Sequence, residues 1–358
     1  MTQCCGLTTV AFFLATLFDK KENTMRQQLR EWYWPDTHKK GHQRQTLDVT
    51  VCFAALLQWI LKLWPDDERR IALAMDATNL SDRFTLLVVS VVYRGTAIPV
   101  AWTALAGSTK GAWKPYWIRL FKHLQGVTPD DWFVIVMADR GLYAGWLYHK
   151  IQSLGWRPFL RINVDGNFRV AGETDFCPLQ LAIPPKGKVR IQRVTCFRNT
   201  SLDCTLLAWW DEPYEEVWLI VTDIFPETAD IVWYGMRSWI EAGFKDIKRG
   251  GWQWQRTRME DADRVERLWL VLAVATLWAV AVGSEAEDAA ANQSISELPE
   301  LHIANKTRKN NMHRQRTISC TKRGFILSLT SLILGRVVLP KKLAPGPWPQ
   351  IMAEIEYG

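Results

Sequence analysis

The sequence contains no Cys-x-x-Cys pair, and its six histidines are scattered. That leaves no seed for a zinc finger, a redox dithiol or a histidine-rich metal centre. His38 and His42 stand four apart, yet no Glu accompanies them as the H-E-x-x-H pattern requires. The seven cysteines (Cys4, Cys5, Cys52, Cys177, Cys196, Cys204 and Cys320) are an odd number, which suits free thiols in a reducing cytosol better than a disulfide framework. Self-similarity at a period of about 20–50 residues is missing, which argues against a solenoid or propeller. Apolar runs are short as well. The longest, 268–284, has seventeen uncharged residues, against the roughly 20 a spanning helix needs. It continues a helical pattern that begins among Asp261, Asp263, Arg264, Glu266 and Arg267, so it reads as a core helix; a membrane anchor is the competing reading. The apolar stretch Thr8 to Phe18 lacks a basic leader and a small-residue cleavage site, and is expected to be a buried helix rather than a signal peptide.

What is present is ordinary globular composition, with 48% hydrophobic and 23% charged residues in a chain of 358. Single cores stop growing near about 250–300 residues, so insertions or a second domain are expected. Forty-four Lys and Arg against 37 Asp and Glu give a net charge of +7. A basic protein of this size has nucleic acid as its first expected partner and an anionic membrane surface as its second.

The pattern divides the chain into five stretches. Residues 1–70 read as helical and DNA-binding: Met25–Trp34 is closed by Pro35. Leu47–Trp64 sets Val51, Ala54, Ala55, Gln58, Leu61 and Lys62 on recurring helical offsets. Between them lies a basic loop with Lys39, Lys40 and Arg44, which can present cations to phosphate or simply be solvated. Residues 71–165 alternate Val/Ile/Leu/Thr-rich runs (Ile71–Asp76, Thr85–Arg94, Thr96–Leu105, Asp131–Ala138, Pro158–Val164) with helices at Trp113–Leu124 and Tyr143–Leu154, an α/β domain on a mixed sheet. Residues 166–226 carry three strand-like runs (Lys188–Phe197, Leu202–Trp210, Glu215–Thr222), read as an antiparallel β insertion. Residues 227–284 return to helix and complete the core. Residues 285–358 begin with an acidic linker holding five acids to residue 300. They continue as a basic region with ten Lys and Arg and no acid between His302 and Lys342.

Three carboxylates stand out by position. Asp76 and Asp139 each follow a buried-looking apolar strand, where an acid is costly unless it binds a cation or caps a turn. Glu241 lies in a helical stretch where Tyr234, Arg237, Glu241 and Lys248 fall at offsets of zero, three, seven and fourteen. At about 100° per residue these occupy a sector of about 60°. A phenol, a guanidinium, a carboxylate and an ammonium on one stripe make a poor packing surface; the stripe is either solvated or functional.

That stripe resembles the Tyr-x2-Arg-x3-Glu-x6-Lys signature of DDE transposases of insertion-sequence family four. Met75-Asp76-Ala77-Thr78 and Asp139-Arg140-Gly141-Leu142-Tyr143 resemble that family's first two acidic motifs, and the longer interval from the second acid to the third resembles its layout. The resemblance spans about residues 45–285. It implies a ribonuclease-H-like mixed sheet flanked by helices, with the antiparallel β insertion before the last acid and helical N- and C-terminal regions. It also implies Asp76, Asp139 and Glu241 as catalytic ligands of two Mg²⁺ ions, replaceable by Mn²⁺. Tyr234, Arg237 and Lys248 would then contact phosphates, and an aromatic of the insertion, Trp209 or Trp210, would hold a flipped base. The implied activity is cleavage and joining at element ends, through a cut-and-paste route. The implied partners are double-stranded DNA (terminal inverted repeats and target) and a second copy in a synaptic homodimer, on DNA in a prokaryotic cytoplasm and with no membrane. A catalytically inactive, transposase-derived DNA-binding protein is the competing expectation.

Overall fold

The computed structural model describes residues 6–42, 44–109, 111–211, 216–289, 318–351 and 353–357. It is a mixed α/β fold built on one large, mostly antiparallel sheet. Strands β1 (Arg70–Leu80), β2 (Phe84–Tyr93) and β3 (Thr96–Ala106) form an antiparallel meander. The turn between β2 and β3 is Arg94-Gly95, both at positive φ, as a tight hairpin turn demands. Helix α4 (Lys114–Leu124) leads to β4 (Phe133–Ala138), which lies parallel to β1. Helix α5 (Gly145–Gln152) then leads to β5 (Arg157–Arg161), parallel to β4. All ten positions of β2 are buried, which is why its Val- and Leu-rich run shows no alternation.

Residues 166–226 are antiparallel, as read, but they do not stand apart from the core sheet. Short strands β6 (Asn167–Val170) and β7 (Cys177–Pro178) precede β8 (Val189–Cys196), β9 (Leu202–Trp209) and β10 (Trp218–Thr222). Strand β10 pairs antiparallel with β5, so the sheet runs without a break in the order β3-β2-β1-β4-β5-β10-β9-β8-β6-β7. The last strand, β11 (Ile355–Tyr357), joins β8 in parallel.

Two helical readings are corrected by the packing. Helix α1 (Leu7–Phe18) buries only Ala11 and Ala15, leaving Phe12, Leu17 and Phe18 exposed. It pairs with α2 (Glu22–Tyr33) around a small satellite core completed by Met25. Helix α3 (Phe53–Leu63) buries Phe53, Leu56, Leu57, Ile60 and Leu63; Val51, just before it, is 70% exposed. The offsets counted from Val51 thus trace the outer face, because both faces of this helix are rich in apolar residues.

The 268–284 run lies in α7 (Ala262–Ala289), a helix long and apolar enough to cross a membrane by length and composition. Here Val265, Trp269, Ala273, Leu277 and Val280 are fully buried, and Trp102 of β3 stacks on Trp269 at 6.4 Å. Its far end corrects the acidic-linker reading. Glu285, Glu287 and Asp288 continue the helix, and Asp288 and Glu287 pair with the buried Arg94 of the β2–β3 turn at 2.7 and 3.8 Å. An apolar turn carrying a buried guanidinium requires such partners. Residues 290–317, which hold the rest of the linker and half of the basic run, lie outside the described residues.

Beyond them the basic region is woven into the fold. Helix α8 (Cys320–Ile333) crosses α7 where Gly283 faces Cys320 and Gly324 faces Ala279. A Cβ on Gly324 would sit 1.7 Å from the Ala279 carbonyl oxygen, so the two backbones meet directly. Past α8, Leu343 is buried and its N–H donates to the Leu63 carbonyl at 2.6 Å. Trp348 packs on Trp233 at 5.1 Å and on Phe133 at 5.9 Å.

Glu266 of α7 reaches into β3, where its Oε1 accepts from Thr103 Oγ1 at 2.7 Å and from Ala104 N–H at 2.8 Å. Burial raises this carboxyl above its ordinary range, and the two hydrogen bonds only partly oppose it. A folded-state pKa above the unfolded one means stability present at low pH and lost as pH rises through the folded value. Glu266→Gln keeps an acceptor and removes the charge. Its melting temperature should exceed the native one by about 2 °C at pH near 8, converging on it near pH 4. A gap that ignored pH would exclude burial of the charge as the cause.

Candidate active site

The site forms where β1 outruns β4. Their parallel register pairs Ala74 with Met137, and Asp76 and Asp139 each follow at the same step beyond that pair. The two acids therefore stand at equivalent positions on neighbouring parallel strands. Asp139 comes directly after β4, while Asp76 is not at the end of its strand: β1 continues to Leu80, paired with β2. Each acid anchors itself locally, with Asp76 Oδ1 accepting from Ala77 N–H and Asp139 Oδ1 from Arg140 N–H, both at 2.8 Å.

The third acid comes from a helical stretch of three pitches rather than one regular helix. Residues 231–238 are 3₁₀, α6 (Trp239–Lys245) is α-helical, and residues 246–250 widen into a π turn. This rod lies close to β3 because Gly243 has no side chain; a Cβ there would be 2.9 Å from the Ala97 carbonyl oxygen. The close approach brings the whole stripe to the strand ends. The phenolic hydroxyl of Tyr234 donates to Asp139 Oδ1 at 3.3 Å. The guanidinium of Arg237 gives Nη2 to Asp76 Oδ2 at 2.8 Å and Nη1 to Glu241 Oε1 at 2.8 Å, with Asp139 Oδ2 at 3.8 Å from Nη2. One nitrogen thus stands between the facing oxygens of Asp76 and Asp139, within ion-pair reach of both. The Nζ of Lys248, carried round by the π turn, donates to Thr78 Oγ1 at 2.7 Å and to the Asn79 carbonyl at 2.8 Å.

Electrostatics follow from this crowding. Burial raises the Asp76 carboxyl above the carboxylate range; Arg237 opposes the shift and the neighbouring Glu241 and Asp139 add to it. Burial pulls Lys248 below the usual lysine range. Burial would also lower Arg237, but Asp76, Tyr234, Asp139 and Glu241 outweigh it. Hard carboxylate oxygens converging on one cation are the donor set that Mg²⁺ or Mn²⁺ prefers. Among the described residues no three acids are grouped closely enough to hold one ion, and Arg237 lies between Asp76, Asp139 and Glu241.

The remaining site residues are placed as follows. Trp209 ends β9 and Trp210 lies just beyond it, and the two differ in exposure. Trp209 is 7% exposed and meets Trp218 edge to face at 5.3 Å, which meets Tyr234 edge to face at 5.1 Å; an aromatic row thus leads from Trp209 to the phenol beside Asp139. Trp210 is 38% exposed, with the Lys186 ammonium 5.7 Å from its ring centre. Lys40 and Arg44 are exposed and Lys39 half-buried, on a loop tied to α7 where His38 Nδ1 meets Arg264 at 3.2 Å. Arg161, at the end of β5, is a site residue that sequence reasoning misses. Its Nη1 is 3.8 Å from Asp139 Oδ1, and its Nη2 pairs with Glu216 at 2.8 Å. Only the sheet order, which puts β5 beside β4, could have found it.

No curated protein matches the chain. Among solved structures, one that is similar is the cryo-EM structure of a piggyBac transposase synaptic complex with hairpin DNA. The match has 12% identity and a TM-score of 0.37, over 74% of this chain and 53% of that one, so the chain spans about half the length of that protein. Residues 103–278, which hold Asp139, Glu241 and the helical stripe but not Asp76, match the family model of the transposase DDE domain.

Proposed function

We propose that the chain is a DNA transposase of insertion-sequence family four, cleaving and joining phosphodiester bonds at the ends of its element. The observation that carries the reading is the shared register of Asp76 and Asp139, with Glu241 bridged to them through Arg237. The strand order β3-β2-β1-β4-β5, with β4 and β5 parallel to β1, supports a ribonuclease-H-like core. Asp76, Asp139 and Glu241 would hold two Mg²⁺ ions, which supply activation of the attacking water or 3′-hydroxyl and neutralisation of the departing oxygen. The chain's own residues do the rest. Tyr234 fixes the Asp139 carboxylate, while Arg237 and Lys248 offer cations to the strand being cut. The partners of this reading are the inverted repeats, target DNA and a second copy of the chain in a synaptic, cut-and-paste complex.

Purified protein should nick a plasmid carrying the inverted repeats that flank its gene when Mg²⁺ is present and leave it intact in EDTA. Binding without cleavage in either Mg²⁺ or Mn²⁺ would make it a DNA-binding descendant instead.

Lys248 grips phosphate in this scheme and reads no base. Lys248→Ala should weaken binding to all sequences alike and reduce the slope of log affinity against log salt by about one. A change in preference at a single base would contradict that role. For the insertion, Trp209→Ala and Trp210→Ala are made separately, and one of the two should impair second-strand processing more than the first nick, since stacking returns about 1–3 kcal/mol per flipped base. Equal loss in both steps from each variant would leave both tryptophans structural.

A further inference from the structure

We propose that Arg237 is an internal counter-ion of the catalytic acids, holding their carboxylates in register while no divalent ion is bound and leaving them when one binds. This deepens the reading of the same site and rests on it.

Three observations carry it. The guanidinium is the common partner of all three acids, at 2.8 Å from Asp76, 2.8 Å from Glu241 and 3.8 Å from Asp139. Without it, the partly buried Asp76 and Asp139 would face each other with Arg161 as the only other cation paired with either among the described residues, its nearest approach 3.8 Å, to the far oxygen of Asp139. Like carboxylates this close repel strongly, and part-burial reduces the screening that water provides. The third observation is that Arg237 is not satisfied where it stands. Among the described residues its Nε is buried and has no hydrogen-bond partner, although a guanidinium offers five donors in a planar fork. A group bound by two of its five donors, with Nε idle, is suited to a second station. A phosphate, which accepts a guanidinium through two parallel hydrogen bonds, would engage that idle donor.

The consequence is a competition. A divalent ion shared by Asp76 Oδ2 and Asp139 Oδ2 would need the position that Arg237 Nη2 holds between them, so the two cations exclude each other there. Occupation of the acids by divalent ions and release of the guanidinium are then one coupled equilibrium, and the coupling is reciprocal. Arg237 freed in this way becomes available to DNA phosphate only when the acids are loaded. An arginine that merely scaffolds the acids makes the opposite forecast, since its removal would spoil the ligand arrangement and weaken ion binding.

The test measures Mn²⁺ binding to the DNA-free protein by electron paramagnetic resonance, for the native chain, Arg237→Gln and Arg237→Lys. The expected result is tighter binding by R237Q, by about tenfold, within the range typical of competing ligands. R237K, which keeps the charge but as a point charge on a flexible stem without the planar fork, should fall between. The chemical-denaturation midpoint without Mn²⁺ should drop in R237Q, and Mn²⁺ should raise it more than in the native chain. If R237Q does not fold in metal-free buffer, R237K carries the comparison. Binding by the variants that equals the native affinity, or is weaker, overturns the counter-ion and leaves the metal-dependent reading standing. If folded native and variant proteins all fail to bind Mn²⁺, the metal-dependent reading itself falls, and the proposal with it.

Discussion

Asp76→Asn should abolish strand cleavage while leaving DNA binding near its native strength. The acid sits on β1 at the position level with Asp139 just past β4, and its Oδ2 faces the cation shared with Glu241. An amide keeps the shape and, with its oxygen at the Oδ1 position, the hydrogen bond from Ala77 N–H, while its NH2 replaces the oxygen that accepts from Arg237. What it loses is a formal charge at the point where cations gather. Altering even an outer partner of a metal ligand costs about 10–100-fold, so loss of a ligand should exceed about 10²-fold in nicking rate. Gel-shift affinity and a single-turnover nicking assay on the same preparation separate the two effects. Residual cleavage within tenfold of native would remove Asp76 from the catalytic group.

The second large effect is structural. Gly324→Val should detach α8 from α7, because the crossing has no room for a side chain. The nearest atoms, the Ala279 carbonyl at 1.7 Å and Gly283 N at 2.7 Å, are backbone and cannot swing aside. Overpacking of this kind costs about 1–3 kcal/mol when side chains can adjust, and this site should sit at or above the upper end. Unfolding in urea reads the loss. Gly335→Ala, at a glycine with open space around its Cβ position, is the control for a generic glycine effect, although its φ of 65° adds a small strain of its own. Equal destabilisation by both would mean that the helix crossing tolerates a side chain after all.

The proximity of Asp76, Asp139 and Glu241 was legible in the sequence, for a reason found in the sheet. The interval between the first two acids equals the register offset of two adjacent parallel strands, so the one-dimensional spacing carries a three-dimensional alignment. The stripe Tyr234–Lys248 was legible because residues 231–250 wind continuously, even though their pitch changes from 3₁₀ to α to π. Other features were hidden. The buried face of α3 could not be chosen from periodicity, since Val51 and Leu61 compete with Phe53 and Ile60 as apolar markers. Arg161 carries no local signal, and it matters only because β5 lies next to β4. The basic region gave a charge count, while the glycines that seat α8 on α7 gave a contact that no tally of lysines and arginines contains.

The strap that follows α8 bears on the order in which the molecule assembles. Strand β11 meets β8 where Ile355 pairs with Val189, far back in the chain, and Leu343 meets Leu63 across a wider interval still. Contacts between such distant partners are slow to find, because the chain entropy lost in closing a long loop comes before the contact repays it. The meander β1–β3 and the parallel pair β1–β4 can form from residues 70–138 alone. Refolding should therefore be biphasic, with β1, which bears Asp76, and β4, which leads into Asp139, protected from hydrogen exchange early. The β8 edge at residues 189–191 should gain protection last, in step with burial of Trp348. Until then that edge stays open to other strands, and this interval is when the folding chain is most exposed to aggregation.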